Sequence, residues 1–271
     1  MVSHFITFRQ STFHYRKYGN GPRLLFCFHG YGKEAESFDF LEERLGSMYT
    51  IIALDAPFHG LTSWKHEMVV EPKFLMEVIE QIIKLHQEVP LKISLLGFSM
   101  GGRIALYLTQ LMPDKIDRLV LIAPDGLHFN FLRWLLTGTM VGSKLMSYTV
   151  RNGNWALWVI GKAEQLKVIH KSMADFARFY MDDEPHRLLL YQRWISMKKF
   201  NPNSARIKMQ VKKNTIQVRL MFGAFDRVIP IKGGTRFLNG IETFGTLQVV
   251  QAGHNLLGEI QAGKIVDLFT N

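Results

Sequence analysis

Leu95-Leu96-Gly97-Phe98-Ser99-Met100-Gly101-Gly102 is the stretch on which the rest of the chain is read: an apolar run halts at a serine set between glycines, in the pattern G-x-S-x-G. The run is entered from Lys92-Ile93-Ser94, and residues 103–112 follow with a helical pattern, so the expected order is strand, tight turn, helix. A serine at the apex of such a turn is forced into a strained backbone conformation. That is tolerated only where the residues two before and two after carry no bulky side chain, because strand and helix nearly touch there. Gly97 and Gly101 meet the requirement. The turn would lift the Ser99 hydroxyl above the sheet and set the backbone N–H of Met100 at the positive end of the following helix, beside a developing oxyanion. Ser99 is therefore the candidate nucleophile.

Working outward, short apolar runs bounded by turn signals predict strands over residues 5–8, 12–17, 24–28 and 50–54, with Gly19-Asn20-Gly21-Pro22 between the second and third. Over residues 71–89, Phe74, Leu75, Val78, Ile82 and Leu85 recur at helical spacing, and a further strand is expected at 118–123. Strands alternating with helices argue for a mostly parallel sheet covered on both faces, whose reactive groups gather at the carboxyl ends of the strands. Those ends carry the informative turns. The third strand runs into His29-Gly30-Tyr31-Gly32 and the fourth into Asp55-Ala56-Pro57-Phe58-His59-Gly60. The strand at 217–222 runs into Gly223-Ala224-Phe225-Asp226-Arg227-Val228-Ile229-Pro230, and the last, at 246–250, into Gly253-His254-Asn255. An acid and a histidine thus follow the serine in chain order, at the ends of later strands.

With these turns in place, the chain resembles the α/β-hydrolase superfamily over essentially its whole length. The resemblance implies an eight-stranded, mostly parallel sheet with helices on both faces. It further implies a core of residues 1–125 and 203–271, with a helical cap at 126–202 inserted after the sixth strand. Carrying the family's roles over gives Ser99 as nucleophile, Asp226 as orienting acid and His254 as base, with Asp125, after Ala123-Pro124, as the competing acid. The oxyanion hole would be formed by the N–H groups of Met100 and Tyr31, the latter placing a large side chain where the family's lipase form has glycine. His29 and His59 are expected to brace their loops, and His66, His86, His128, His170 and His186 to lie on the surface or in the lid. Serine at position 99 sets the chain apart from the branches that attack with a carboxylate there, the haloalkane dehalogenases and epoxide hydrolases. The implied activity is a serine hydrolase acting on carboxylic esters of small or medium acyl chains. Its alternatives are a carbon-carbon bond hydrolase, a lyase like that of menaquinone synthesis, or a non-turnover ligand receptor.

Composition bounds the rest. The chain has 271 residues, 47% hydrophobic and 21% charged, as in an ordinary globular protein with one large core and room for a lid. No export signal opens it and no run is long enough to cross a bilayer, so a cytoplasmic protein is expected, a setting that suits the single cysteine, Cys27. The spacings contain no H-x-x-x-H, C-x-x-C or G-x-G-x-x-G, so no metal and no cofactor are expected. The formal net charge of +10 is concentrated: residues 126–217 carry 15 Lys and Arg against 5 Asp and Glu, among many aromatics such as Phe129, Phe131, Trp134, Trp155, Trp158 and Phe176. Such a stretch could attract an acidic partner, steer an anionic or carrier-bound ester, rest on an anionic membrane, or simply be solvated. Nucleic acid is not expected as a partner, since no recognised motif accompanies the charge.

Overall fold

The computed structural model of the chain describes residues 2–86, 92–127, 133–169 and 171–270, with Val2, Ser172, Met173 and Phe176 described by their backbone alone. Phe129, Phe131, His128, His170, the side chain of Phe176 and residues 87–89 of the expected helix lie outside that description. The chain divides into two compact units, one of Met1–His66, Glu71–His128 and Lys199–Asn271, the other of Glu67–Val70 and Phe129–Lys198.

The first unit is built on one eight-stranded sheet in the order β1-β2-β4-β3-β5-β6-β7-β8. β1 (Val2–Phe8) pairs antiparallel with β2 (Ser11–Tyr18), and β2 with β4 (Tyr49–Leu54). From β4 onward β3 (Arg23–Phe28), β5 (Ile93–Phe98), β6 (Ile116–Ile122), β7 (Gln217–Gly223) and β8 (Gly245–Val250) are all parallel. The central strand β5 is buried at every position, as its unbroken apolar run requires when helices cover both faces. β1, at one edge, alternates instead: Ile6 and Phe8 point inward, and Ser3, Phe5 and Thr7 outward.

Helix α1 (Pro72–His86) starts on a proline, whose missing N–H costs nothing in the first turn, and buries Leu75, Val78, Ile79 and Ile82 along one stripe. Leu85, expected on that stripe, is exposed. α2 (Met100–Leu111) follows β5 directly, and α7 (Ser204–Asn214), α8 (Lys232–Leu238) and α9 (Ala262–Thr270) belong to the same unit. The second unit is helical, with α3 (Met140–Arg151), α4 (Asn154–Gln165), α5 (Lys171–Met181) and α6 (Glu184–Ser196). Glu67–Val70 joins it through a hydrogen bond from the Val70 N–H to the Ser196 carbonyl. Among the described residues, no helix is long and apolar enough to cross a membrane.

Candidate active site

β5 delivers Ser99 to the turn with φ 50° and ψ −113°, a left-handed conformation that L side chains rarely adopt. Surrounding hydrogen bonds hold it there. The Ser99 N–H donates to the Ile122 carbonyl at 3.0 Å, and its own carbonyl accepts from Gly102 and Asp125, each at 2.9 Å. The flanking glycines are a packing necessity. A Cβ on Gly101 would sit 1.9 Å from the Phe28 carbonyl oxygen, and one on Gly97 would sit 2.5 Å from that of Gly101. Strand and helix can meet here only because neither position carries a side chain.

Asp226 and His254 reach the serine from the ends of β7 and β8, whose turns are laced together. The Phe225 N–H donates to the Ala252 carbonyl at 3.0 Å, while the backbones approach so closely at Gly223 that a Cβ there would lie 2.4 Å from the Ala252 oxygen. The His254 ring bridges the other two groups: its Nδ1 lies 2.7 Å from Asp226 Oδ2 and its Nε2 lies 3.0 Å from Ser99 Oγ. An Asp226 carboxylate accepts at Oδ2, so Nδ1 carries the proton and Nε2 is left as the acceptor for the serine hydroxyl. Phe98 packs against the imidazole face at 5.4 Å between ring centres.

The acid is fully enclosed, with 0% of its side chain exposed, whereas 26% of the His254 side chain remains accessible. Asp226 Oδ1 accepts from the N–H groups of Val228 and Ile229, both at 2.8 Å. Burial pushes the Asp226 carboxyl up, but hydrogen bonds from His254 and from the Ile229 and Val228 amides outweigh it and hold the group below its ordinary value. The competing acid is engaged elsewhere: Asp125 forms an ion pair with the Arg103 guanidinium of α2.

The remaining expected residues cluster around the serine. Met100 is the first residue of α2, so its N–H has no partner four residues back within the helix. A Cβ on Gly30 would lie 3.4 Å from Ser99 Cβ, which brings the backbone leading into Tyr31 alongside the serine. The Tyr31 ring meets His59 edge-on at 6.0 Å. His29 Nε2 accepts the Ala56 N–H at 3.1 Å, so its Nδ1 must donate to the Gly30 carbonyl at 2.8 Å, tying the turn after β3 to the turn after β4. Among the described residues, no three His, Cys, Asp or Glu side chains converge as metal ligands.

One buried constellation had no role in the reading of the sequence. Asp55, 1% exposed, accepts from the Ala35 N–H at 2.6 Å and the Leu61 N–H at 2.9 Å, and its Oδ2 lies 2.7 Å from His14 Nδ1. It pins β2 and the segments after β3 and β4 at a single carboxylate. The Asp-x-Pro-x-His-Gly turn carried the signal for Asp55, but a histidine within a strand gave none for His14.

Comparison with known proteins finds the same fold elsewhere. Residues 23–153 match the family model described as alpha/beta hydrolase fold. The uncharacterized hydrolase YugF of Bacillus subtilis is 25% identical over 249 residues, which cover 89% of this chain and 87% of that protein. A pimeloyl-[acyl-carrier protein] methyl ester esterase of Salmonella heidelberg is 31% identical over 109 residues, but that similarity spans only 40% of either chain. Among solved structures, a thermophilic esterase from Thermogutta terrifontis superposes with a TM-score of 0.68 at 16% identity, covering 100% of this chain and 97% of that one. On that match, and on the order and direction of its eight strands, the chain has the alpha/beta hydrolase fold.

Proposed function

We propose that the chain is a serine hydrolase that cleaves carboxylic esters of small to medium acyl chains through an acyl-enzyme. Ser99 is the nucleophile, His254 the base and Asp226 the orienting acid. The reading is carried by one observation, the continuous hydrogen-bonded line from the enclosed Asp226 carboxylate through both ring nitrogens of His254 to the Ser99 hydroxyl. A serine hydroxyl is a poor nucleophile at neutral pH, so His254 Nε2 takes its proton as Oγ bonds to the ester carbonyl carbon. The carbonyl electron pair moves onto oxygen, where the Met100 and Tyr31 amides receive the charge. The tetrahedral intermediate collapses, the C–O bond to the alcohol breaks, and His254 returns the proton to the departing alkoxide. Water then repeats the sequence on the Ser99 ester and releases the acid. Asp226 stays ionised throughout, in keeping with a carboxyl held below its ordinary pKa, and stabilises the imidazolium.

Esters as the substrate class are supported by the names of the relatives, two of which are esterases. A carrier-bound or anionic ester is supported by the acyl-carrier-protein relative and by the positive charge gathered in residues 126–217. In the same reading residues 126–202 act as a lid. The test is covalent labelling by a fluorophosphonate together with hydrolysis of p-nitrophenyl butyrate. Both are expected in the native chain and absent in Ser99→Ala; labelling that survives the substitution, or a native chain that is never labelled, refutes the proposal.

A further inference from the structure

The second unit carries a surface pattern that hydrolysis does not use. Along α3, Val141, Lys144, Leu145, Tyr148 and Arg151 recur at helical spacing, and all are exposed, Val141 to 78%. α4 repeats the pattern with Trp155, Trp158 and Lys162, continued by Leu166 just past its last turn, where Trp158 is 66% and Leu166 74% exposed. Each helix therefore turns aromatic and aliphatic side chains, interleaved with cations, toward water. One residue of each stripe, Leu145 on α3 and Trp155 on α4, lines a common apolar recess of about 180 Å³ within this unit. That is somewhat more than the roughly 150 Å³ that accommodate a benzene molecule. Residues 140–168 contain four cations, Lys144, Arg151, Lys162 and Lys167, and a single acid, Glu164, which is already paired with Arg178.

Exposed aromatic and aliphatic side chains recurring along two helices mark a contact surface. A second copy of the chain is a poor occupant: a twofold contact would set the same stripe against itself and bring like charges together. A surface that is negative at its face and apolar just beneath fits better. Trp and Tyr settle at the boundary between lipid headgroups and acyl chains, and Lys and Arg extend alongside them to lipid phosphates. We infer that α3 and α4 dock the protein on an anionic lipid surface, with Trp155, Trp158 and Tyr148 at headgroup depth and the recess open to the end of an acyl chain.

The test is flotation with vesicles of phosphatidylcholine alone and of phosphatidylcholine mixed with phosphatidylglycerol. The native chain should float with the mixed vesicles, shift its tryptophan emission to the blue on binding, and be released by salt. Removing two cations in Lys144→Gln/Lys162→Gln should weaken binding by about 30-fold. Trp158→Ala, which leaves the charge untouched, should weaken it by about tenfold. These side chains are exposed, so an unchanged circular dichroism spectrum is expected. Ser99→Ala should bind as the native chain does, which separates this inference from the hydrolase proposal. Equal binding to both vesicle types, or none to either, overturns the inference. So does self-association that disappears in Trp158→Ala without any vesicle binding.

Discussion

Asp226→Asn keeps the shape of the side chain and exchanges one acceptor for a donor, and the structure dictates which oxygen changes. Oδ1 accepts two backbone N–H groups at 2.8 Å, so the amide oxygen must stay there and the NH2 must turn toward His254 Nδ1, where the native distance is 2.7 Å. Two donors cannot share that contact. The imidazole proton therefore moves to Nε2, which then points an N–H at the Ser99 hydroxyl and can no longer accept its proton. The expected loss is about 10⁴ in kcat, or about 5.5 kcal/mol of transition-state stabilisation. Loss of the charged hydrogen bond costs the folded state less, about 1.5–3 kcal/mol. The native Asp226 pKa is held below its ordinary value, so its stabilisation is present above about pH 4 and lost as the pH falls through the folded value. The difference in urea-unfolding free energy between the two proteins should accordingly be flat at neutral pH and shrink in acid. The assay is kcat for p-nitrophenyl butyrate, measured alongside unfolding. Near-native kcat in Asp226→Asn, with loss in Asp125→Asn, would refute the assignment.

Three further outcomes are expected. Ser99→Gly should abolish ester hydrolysis yet raise unfolding free energy by about 1 kcal/mol, because glycine relieves the φ of 50°; an unchanged or lowered stability contradicts the strain. Asp55→Asn should cost about 3 kcal/mol or more in unfolding free energy, since it leaves a buried site that serves His14 and two amides with one acceptor fewer; a loss below about 1 kcal/mol would show that the knot is dispensable. Burial, then the charge of Lys17, hold the His4 and His86 imidazoles below their ordinary pKa, with the Tyr15 hydroxyl 3.2 Å from His86 Nε2. The unfolded chain therefore takes up protons first, and stability present above about pH 6.5 declines as the pH falls. His86→Phe should flatten that decline when urea midpoints are compared across it, and an equally steep decline in the variant removes His86 as a source.

The elbow, the parallel sheet and the three polar groups were legible because each depends on local sequence. Gly97 and Gly101 announce a backbone crossing, and the turns holding Asp226 and His254 stand where apolar runs stop. The sequence put Asp226 ahead of Asp125, but the contacts that separate the two were not legible, because they depend on which loop meets which: the lacing of Phe225 to Ala252 brings one acid to the imidazole, and Arg103 pairs with the other. His14 was hidden for a similar reason, since its partner lies 41 residues away and strand alternation says nothing of a buried carboxylate beneath it. Glu67–Val70 groups with the helical unit, with the Val70 N–H bonded to the Ser196 carbonyl, and four residues carry no periodicity from which to read that.

The Ser99 hydroxyl and the His254 ring that contacts it are separated by 155 positions in the chain. At translation rates of about 5–20 residues per second, a ribosome would expose the elbow on the order of 10 s before the imidazole existed. Throughout that interval the alcohol has no proton acceptor beside it. On the proposed mechanism, a growing polypeptide is thus chemically quiet at this position until nearly all of the sheet has been made, and its reactivity would arrive together with the last strand.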